Sequence, residues 1–156
     1  MWLNRKILVA TDFGELAEAV CNVGLELARR FQVPLVVMHT YAPMAPNYSG
    51  APLLPPAQYR EIVENAARAT LEQEAARLRG KGVDISTVLQ VGVPAEEVLR
   101  TANALDVGLI VMGTHGRHGL PRALLGSVAE KVVRMSPIPV LTLHEPLSQT
   151  EEAQRK

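Results

Sequence analysis

The chain has 156 residues, of which 47% are hydrophobic and 21% are charged, and these proportions are typical of one globular domain rather than of a disordered or membrane-embedded chain. Sixteen basic residues balance sixteen acidic ones, so there is no overall positive charge to attract a nucleic acid or an anionic membrane surface. The single cysteine, Cys21, excludes an intramolecular disulfide and a four-cysteine metal site.

The amino-terminal segment bears on the location of the protein. The start, MWLNRKILVATDFGE, has a short apolar run that ends in Asp12 and lacks the longer apolar stretch and small-residue cleavage site of a signal peptide. No run approaches the roughly 18 apolar residues of a membrane span. We therefore expect a cytoplasmic protein that has neither a membrane nor a nucleic acid as its partner.

The first part of the chain predicts a strand, a helix and a second strand. The apolar run Lys6–Ala10 predicts a buried strand, and apolar side chains then recur at helical spacing over about residues 16–31, where Cys21 fits as a small packing residue. Pro34–Thr40 predicts the second strand. Tyr41–Pro56 follows, and its prolines and missing apolar period predict a long surface loop.

The rest of the chain continues this alternation. The remaining predicted elements are a helix with an apolar stripe over about residues 58–78, a strand at Asp84–Val91, a short helix that starts near Pro94, a strand at Val107–Gly113, a helix at Ser127–Met135 and a strand at Pro139–Leu143. Neighbouring parallel strands need a crossover helix between them. The pattern therefore predicts one α/β domain: a five-stranded parallel, doubly wound sheet with helices on both faces. We place this domain at residues 1–144 and a polar tail at residues 145–156.

The stretch Gly113–Ser127, GTHGRHGLPRALLGS, follows the fourth strand and contains four glycines. Ligands of open parallel sheets bind outside the carboxyl ends of the strands, where this stretch would meet Thr11, Asp12 and Thr40. Bare glycines let backbone amides approach an anion, and the next helix adds unpaired amides and the Ser127 hydroxyl. We expect a phosphate site here, although a glycine-rich stretch can also simply turn a corner.

The spacing of Gly113, Gly116, Gly126 and Ser127 follows the pattern G-x2-G-x9-G-[ST], and with it the chain resembles the universal stress protein family, in which this pattern marks the members that bind ATP. The resemblance covers about residues 5–143 and includes ILVATDF, VVMHT, VGVPAEEVL and the last two strands. It implies the Rossmann-like fold of the adenine nucleotide alpha hydrolases and ATP as the ligand. It leaves open whether AMP or ADP also binds and whether magnesium or manganese accompanies the nucleotide.

The resemblance also implies a set of binding residues. Asp12 matches the family's acidic residue beside the ribose and adenine, and Thr40 matches the position whose backbone meets adenine. The other implied residues are Met112 and Gly113 on the floor, Gly116, Gly126, Ser127 and Val128 at the phosphates, Arg117 reaching in from the loop, and Ala10 and Thr11 at the end of the first strand. Arg117 could instead be solvated, and Asp12 could also cap the first helix.

No catalytic or metal-binding residue is assigned. A true ATPase needs a phosphate-loop lysine, a metal-holding carboxylate and a residue that orients water, and the chain lacks G-x4-G-K-[ST]. His115 and His118 have no carboxylate or cysteine beside them in a zinc-binding pattern, and His39 is better explained as a hydrogen-bonded core residue than as a base. We expect an ATP-binding regulatory module that hydrolyses ATP slowly at most.

Two other classes of function fit a domain of this architecture. A nucleotidyl transferase or a flavin protein would need a histidine-rich or hydroxyl-rich segment after the first strand, where this chain has TDFGE. A nucleotide-free interaction module that acts as a dimer stays open as the alternative.

The last predicted strand carries a prediction about assembly. The segment PIPVLTLHEP would lie at the edge of the sheet, and an exposed apolar edge invites pairing with another chain. The family also dimerises through this strand. We therefore expect a homodimer with Val140–Leu143 at its centre.

Overall fold

The computed structural model describes residues 4–42, 56–114 and 125–144. Over these residues, five strands alternate with four helices, and the predicted type and order of the elements are confirmed. The elements are β1 (Lys6–Ala10), α1 (Ala17–Phe31), β2 (Leu35–Tyr41), α2 (Pro56–Leu78), β3 (Ile85–Val91), α3 (Pro94–Ala104), β4 (Val107–Gly113), α4 (Ser127–Met135) and β5 (Val140–Leu143).

The five strands form one sheet in which all four neighbouring pairs are parallel. Their order is β3-β2-β1-β4-β5, so β1 and β4 lie side by side in the middle. Buried side chains of α1 and α2 pack with Ile7 and Val9 on one face of the sheet, and those of α3 and α4 pack with Leu8 on the other face. The predicted doubly wound α/β architecture is confirmed.

Helix α1 approaches the sheet especially closely. A Cβ atom added at Gly24 would lie only 2.3 Å from Cγ2 of Val9 in β1. The missing side chain at Gly24 therefore sets the distance between this helix and the centre of the sheet.

The edge strands and part of α2 are more exposed than their sequences suggest. β3 and β5 each have a single neighbouring strand, and most of their residues are only half-buried. The apolar stripe predicted over about residues 58–78 is not buried along its whole length: Ile62 exposes 55% of its surface, and Ala66 is also exposed. The buried part of this stripe is its carboxyl-terminal half, at Leu71, Ala75 and Leu78.

Two predicted segments fall mostly outside the described residues. Tyr41 belongs to β2 and Pro56 begins α2, and residues 43–55 of the predicted loop are not described. Residues 145–156, the predicted tail, are not described either. Among the helices that are described, none is both long enough and apolar enough to cross a bilayer.

Candidate functional site

The strand order creates a crevice at the carboxyl end of the sheet. From β1 the chain moves outward to β2 and β3, and it then returns to β4 and β5 on the other side of β1. The connections that leave β1 and β4 therefore pass over opposite faces of the sheet, which is the arrangement that opens a ligand crevice. A cavity of about 270 Å³ lies there. Its volume is close to the lower end of the roughly 300–1,000 Å³ of small-molecule sites.

Nine of the eleven predicted binding residues line this cavity. They are Ala10, Thr11, Asp12, Thr40, Met112, Gly113, Gly126, Ser127 and Val128. The other two, Gly116 and Arg117, lie outside the described residues. The structure thus brings together residues from four segments of the chain, and their roles toward a ligand stay predictions.

The apolar wall of the cavity was not predicted from the sequence. It comes largely from the amino-terminal ends of α1 and α3, which lie near the carboxyl ends of the strands. The additional lining residues are Leu16, Ala17, Val20, Met38, Pro94, Val98, Thr114 and Ala129. Leu16 and Val20 do belong to the predicted core-facing stripe of the first helix, so the available signal was the position of this stripe next to the end of a strand.

The turn between β1 and α1 carries Asp12 in a network of short-range hydrogen bonds. The Phe13 amide donates to Oγ1 of Thr11 at 3.1 Å, and the Gly14 amide donates to Oδ1 of Asp12 at 2.9 Å. Phe13 itself has φ 59, in the left-handed region, which costs an L-residue with a side chain roughly 1–2 kcal/mol. Other contacts must therefore hold this turn in place.

The alternative prediction that Asp12 caps the first helix is wrong. Helix α1 begins at Ala17, and its capping position, Leu16, makes no side-chain cap hydrogen bond. The intervening turn separates Asp12 from the helix, so its carboxylate accepts from Gly14 instead. A carboxylate has about four acceptor sites, and Asp12 therefore keeps capacity to accept hydrogen bonds from a ligand.

The start of α4 faces the cavity with unpaired amides. Gly126 precedes the helix with φ −60 and ψ 152, and its own amide donates to the Thr114 carbonyl at 2.6 Å. The Glu130 amide makes the first bond of the helix, to the Gly126 carbonyl at 2.9 Å. The amides of the three residues in between have no acceptor within the helix, and these residues, Ser127, Val128 and Ala129, all line the cavity. Such a helix start favours an anion.

A buried hydroxyl also lies at the cavity. Oγ1 of Thr40 is buried and has no hydrogen-bond partner among the described residues, although Thr40 lines the cavity. Oγ1 of Thr101 in α3 is buried and unpartnered in the same way, but Thr101 does not line it. A buried hydroxyl without a partner costs about 1–3 kcal/mol, so a ligand or an ordered water that bonds Thr40 would recover free energy.

Two further side chains, those of His39 and Cys21, have structural roles. Nδ1 of His39 lies 2.8 Å from the Thr11 carbonyl oxygen, and the His39 ring packs against Phe13 with ring centroids 4.2 Å apart. This confirms the prediction of a hydrogen-bonded histidine. Cys21 is fully buried in α1, as predicted for a packing residue, and burial together with the Glu74 carboxylate raises the pKa of its thiol to about 12.

The charges at the cavity are sparse. Asp12 is the one ionisable side chain among the described lining residues. In the same part of the chain, no group of three or more histidine, cysteine, aspartate and glutamate side chains is placed to hold a metal ion.

Comparison with known proteins identifies the family. The model of the universal stress protein family matches residues 3–144. A universal stress protein of Thermus aquaticus is 36% identical over 137 residues, which cover 88% of this chain and 96% of that protein. The universal stress protein YxiE of Bacillus subtilis is 32% identical over 143 residues, which cover 88% of this chain and 97% of that protein.

Solved structures agree with the sequence comparison. The universal stress protein from Archaeoglobus fulgidus, solved in complex with dAMP, superposes with a TM-score of 0.64 at 26% identity, covering 90% of this chain and 98% of that one. The fold, the family model and the sequence relatives all lead to one assignment. The chain belongs to the universal stress protein family.

Proposed function

We propose that this chain is a cytoplasmic, ATP-binding regulatory module of the stress response that works as a homodimer and hydrolyses ATP slowly at most. One observation carries the proposal: the carboxylate of Asp12 and the unpaired first-turn amides of α4 lie around the same cavity. The related Archaeoglobus protein in complex with dAMP supports an adenine nucleotide as the ligand.

The chemistry of the cavity fits the parts of such a nucleotide. Backbone amides at the start of α4 suit phosphate oxygens, because they donate hydrogen bonds and the helix dipole favours negative charge. The Asp12 carboxylate suits a ribose hydroxyl, which can donate to it. Apolar side chains of Met38, Val98 and Met112 suit the faces of a base.

The composition of the described lining supports slow hydrolysis. Phosphoryl transfer is accelerated mainly by positioned cations and by a group that orients the attacking water. The described lining residues supply no cationic side chain and a single carboxylate, that of Asp12. We therefore infer that the module responds to whether nucleotide is bound, and that turnover is secondary.

The proposed dimer rests on the apolar character of the β5 edge. Leu141 in β5 exposes 38% of its surface, and Val133 and Met135 in the neighbouring α4 expose 46% and 56%. An exposed apolar edge strand favours pairing with a second copy, which would cover it.

The phosphate part of the proposal is tested by two substitutions at one position. Ser127→Ala removes only the hydroxyl, whereas Ser127→Pro also removes the backbone amide. Proline is tolerated here because Ser127 is the first helical residue and Gly126 before it is extended, and α3 already begins with Pro94. In calorimetric titrations with ATP, run with and without magnesium or manganese, we expect Ser127→Pro to bind at least about tenfold more weakly than Ser127→Ala.

The outcome also decides between the two candidate functions. Equal ATP affinity of the two variants would mean that the Ser127 amide does not hold the phosphates. No binding of ATP by the folded wild-type protein, together with no nucleotide in the mass spectrum of material released by denaturing the freshly purified protein, would overturn the proposal in favour of a nucleotide-free interaction module.

A further inference from the structure

We propose that His39 is a positioning residue for the candidate site. From β2 it holds the turn Thr11–Gly14 in the conformation that presents the Asp12 carboxylate to the cavity. The inference rests on the proposed function only for the identity of the ligand, because the positioning itself is a property of the protein without nucleotide.

The first observation is the hydrogen bond from the His39 ring. Its Nδ1 lies 2.8 Å from the Thr11 carbonyl oxygen. A carbonyl oxygen can only accept, so the proton of the bond must be on Nδ1. The amide of Thr11 donates to the Met38 carbonyl at 2.9 Å. Consecutive residues of β2 thus hold both backbone polar groups of Thr11, directly before Asp12.

The second observation is the contact of the same ring with Phe13, directly after Asp12. The two ring centroids are 4.2 Å apart and the rings are inclined by 31°. Phe13 has φ 59, a conformation that an aromatic residue seldom adopts without external support. The ring contact supplies such support. One histidine side chain therefore touches the residue before Asp12 and the residue after it.

The third observation is the face of β2 on which the His39 side chain lies. Successive side chains of a strand point to opposite faces, and the two neighbours of His39, Met38 and Thr40, both line the cavity. His39 is not among the described lining residues, and Phe13 packs against the core cluster of α1 and α2. His39 therefore acts on the site through the turn and not by contact with the ligand.

Three substitutions separate the two contacts. His39→Asn keeps a donor near the position of Nδ1 and loses the ring, His39→Phe keeps a ring and loses the donor, and His39→Leu loses both. Tyr41→Leu is the matched control, because Tyr41 is on the same strand face and bonds Glu64 of α2, away from the turn.

The first readout needs no nucleotide. Hydrogen exchange of the Phe13 and Gly14 amides, measured by NMR, reports on the two hydrogen bonds inside the turn. In His39→Leu we expect both amides to exchange at least about fivefold faster than in the wild type, with the amides of β4 as the internal reference. This is the ratio expected for the loss of one hydrogen bond. We expect His39→Asn and His39→Phe each to restore part of the protection and Tyr41→Leu to leave it unchanged.

The second readout is ATP affinity. His39→Leu should weaken binding about five- to tenfold, and in a background that carries Asp12→Ala it should have much less effect, because its action passes through Asp12.

The two proposals fail in distinguishable ways. The inference is overturned if the Phe13 and Gly14 amides of His39→Leu keep their protection. It is also overturned if the amides of β4 lose protection to the same extent, because His39 would then not act on the turn in particular. If the loss of ATP affinity is the same with and without Asp12, the route through Asp12 is overturned. Absence of ATP binding in the wild type would defeat the proposed function alone, and the exchange data would still decide the role of His39.

Discussion

At the scale of single residues, two buried threonines offer a matched test of what the cavity binds. Thr40 and Thr101 each bury a hydroxyl that has no hydrogen-bond partner in the described part of the chain, and of the two only Thr40 lines the cavity. Replacement by valine keeps the shape and removes the orphaned oxygen. We expect Thr40→Val and Thr101→Val each to raise the free energy of unfolding of the nucleotide-free protein by about 1 kcal/mol in urea titrations.

The two variants should differ toward ATP. Thr40→Val should weaken ATP binding by about 0.5–1.5 kcal/mol, the net contribution of one hydrogen bond, and Thr101→Val should leave it unchanged. Undiminished affinity in Thr40→Val would mean that the ligand does not use this hydroxyl.

At the scale of elements, the close approach of α1 to β1 makes a helix-favouring substitution harmful. Alanine in place of glycine favours an isolated helix by about 1 kcal/mol. At Gly24, however, the new Cβ would lie 2.3 Å from Cγ2 of Val9, and overpacking of this kind costs about 1–3 kcal/mol. We expect Gly24→Ala to lower the melting temperature followed by circular dichroism. A higher melting temperature would show that β1 can shift to make room for the new Cβ atom without a loss of stability.

The elements also show how much of the fold and of the site could be predicted from the sequence. The elements were predictable because valine-rich runs and helical periodicity are local, and Gly126 and Ser127 were predictable because their spacing is a pattern in the chain. The cavity wall at Val98 was not predictable, since it depends on how two helices meet at the carboxyl end of the sheet. The left-handed Phe13 carries no local signal either, because the His39 ring that supports it comes from another strand.

At the scale of the whole molecule, the proposed dimer and the nucleotide site should be separable. None of the described residues of β5 lines the cavity. Leu141→Lys places a charge on the exposed apolar edge, so we expect it to sediment as a monomer at micromolar concentration and to keep its affinity for ATP. Ser86→Lys, on the exposed surface of the opposite edge strand, is the control that should stay dimeric.

A wild-type protein that sediments only as a monomer would contradict the dimer.

The independence of the nucleotide site is tested by stability. ATP at one hundred times its dissociation constant should raise the free energy of unfolding of the wild type and of Leu141→Lys alike, by about 2.7 kcal/mol. A loss of this stabilisation in Leu141→Lys would instead mean that the nucleotide site depends on the partner copy.

The two borders of the sheet differ in a way that limits how many copies can join. Beside β3, Thr87 donates to Glu72 at 2.6 Å on one face, and Arg100 donates to Gln90 at 3.2 Å on the other. Charged groups of this kind resist the loss of water that strand pairing demands, and the exposed apolar residue of β3, Val91, lies at the very end of the strand. In β5 the exposed apolar residue is Leu141, within the strand. In a two-fold pair joined through β5, each copy would cover the apolar β5 edge of the other, and the β3 edges would be outermost, so growth would end at a closed pair instead of continuing into a filament.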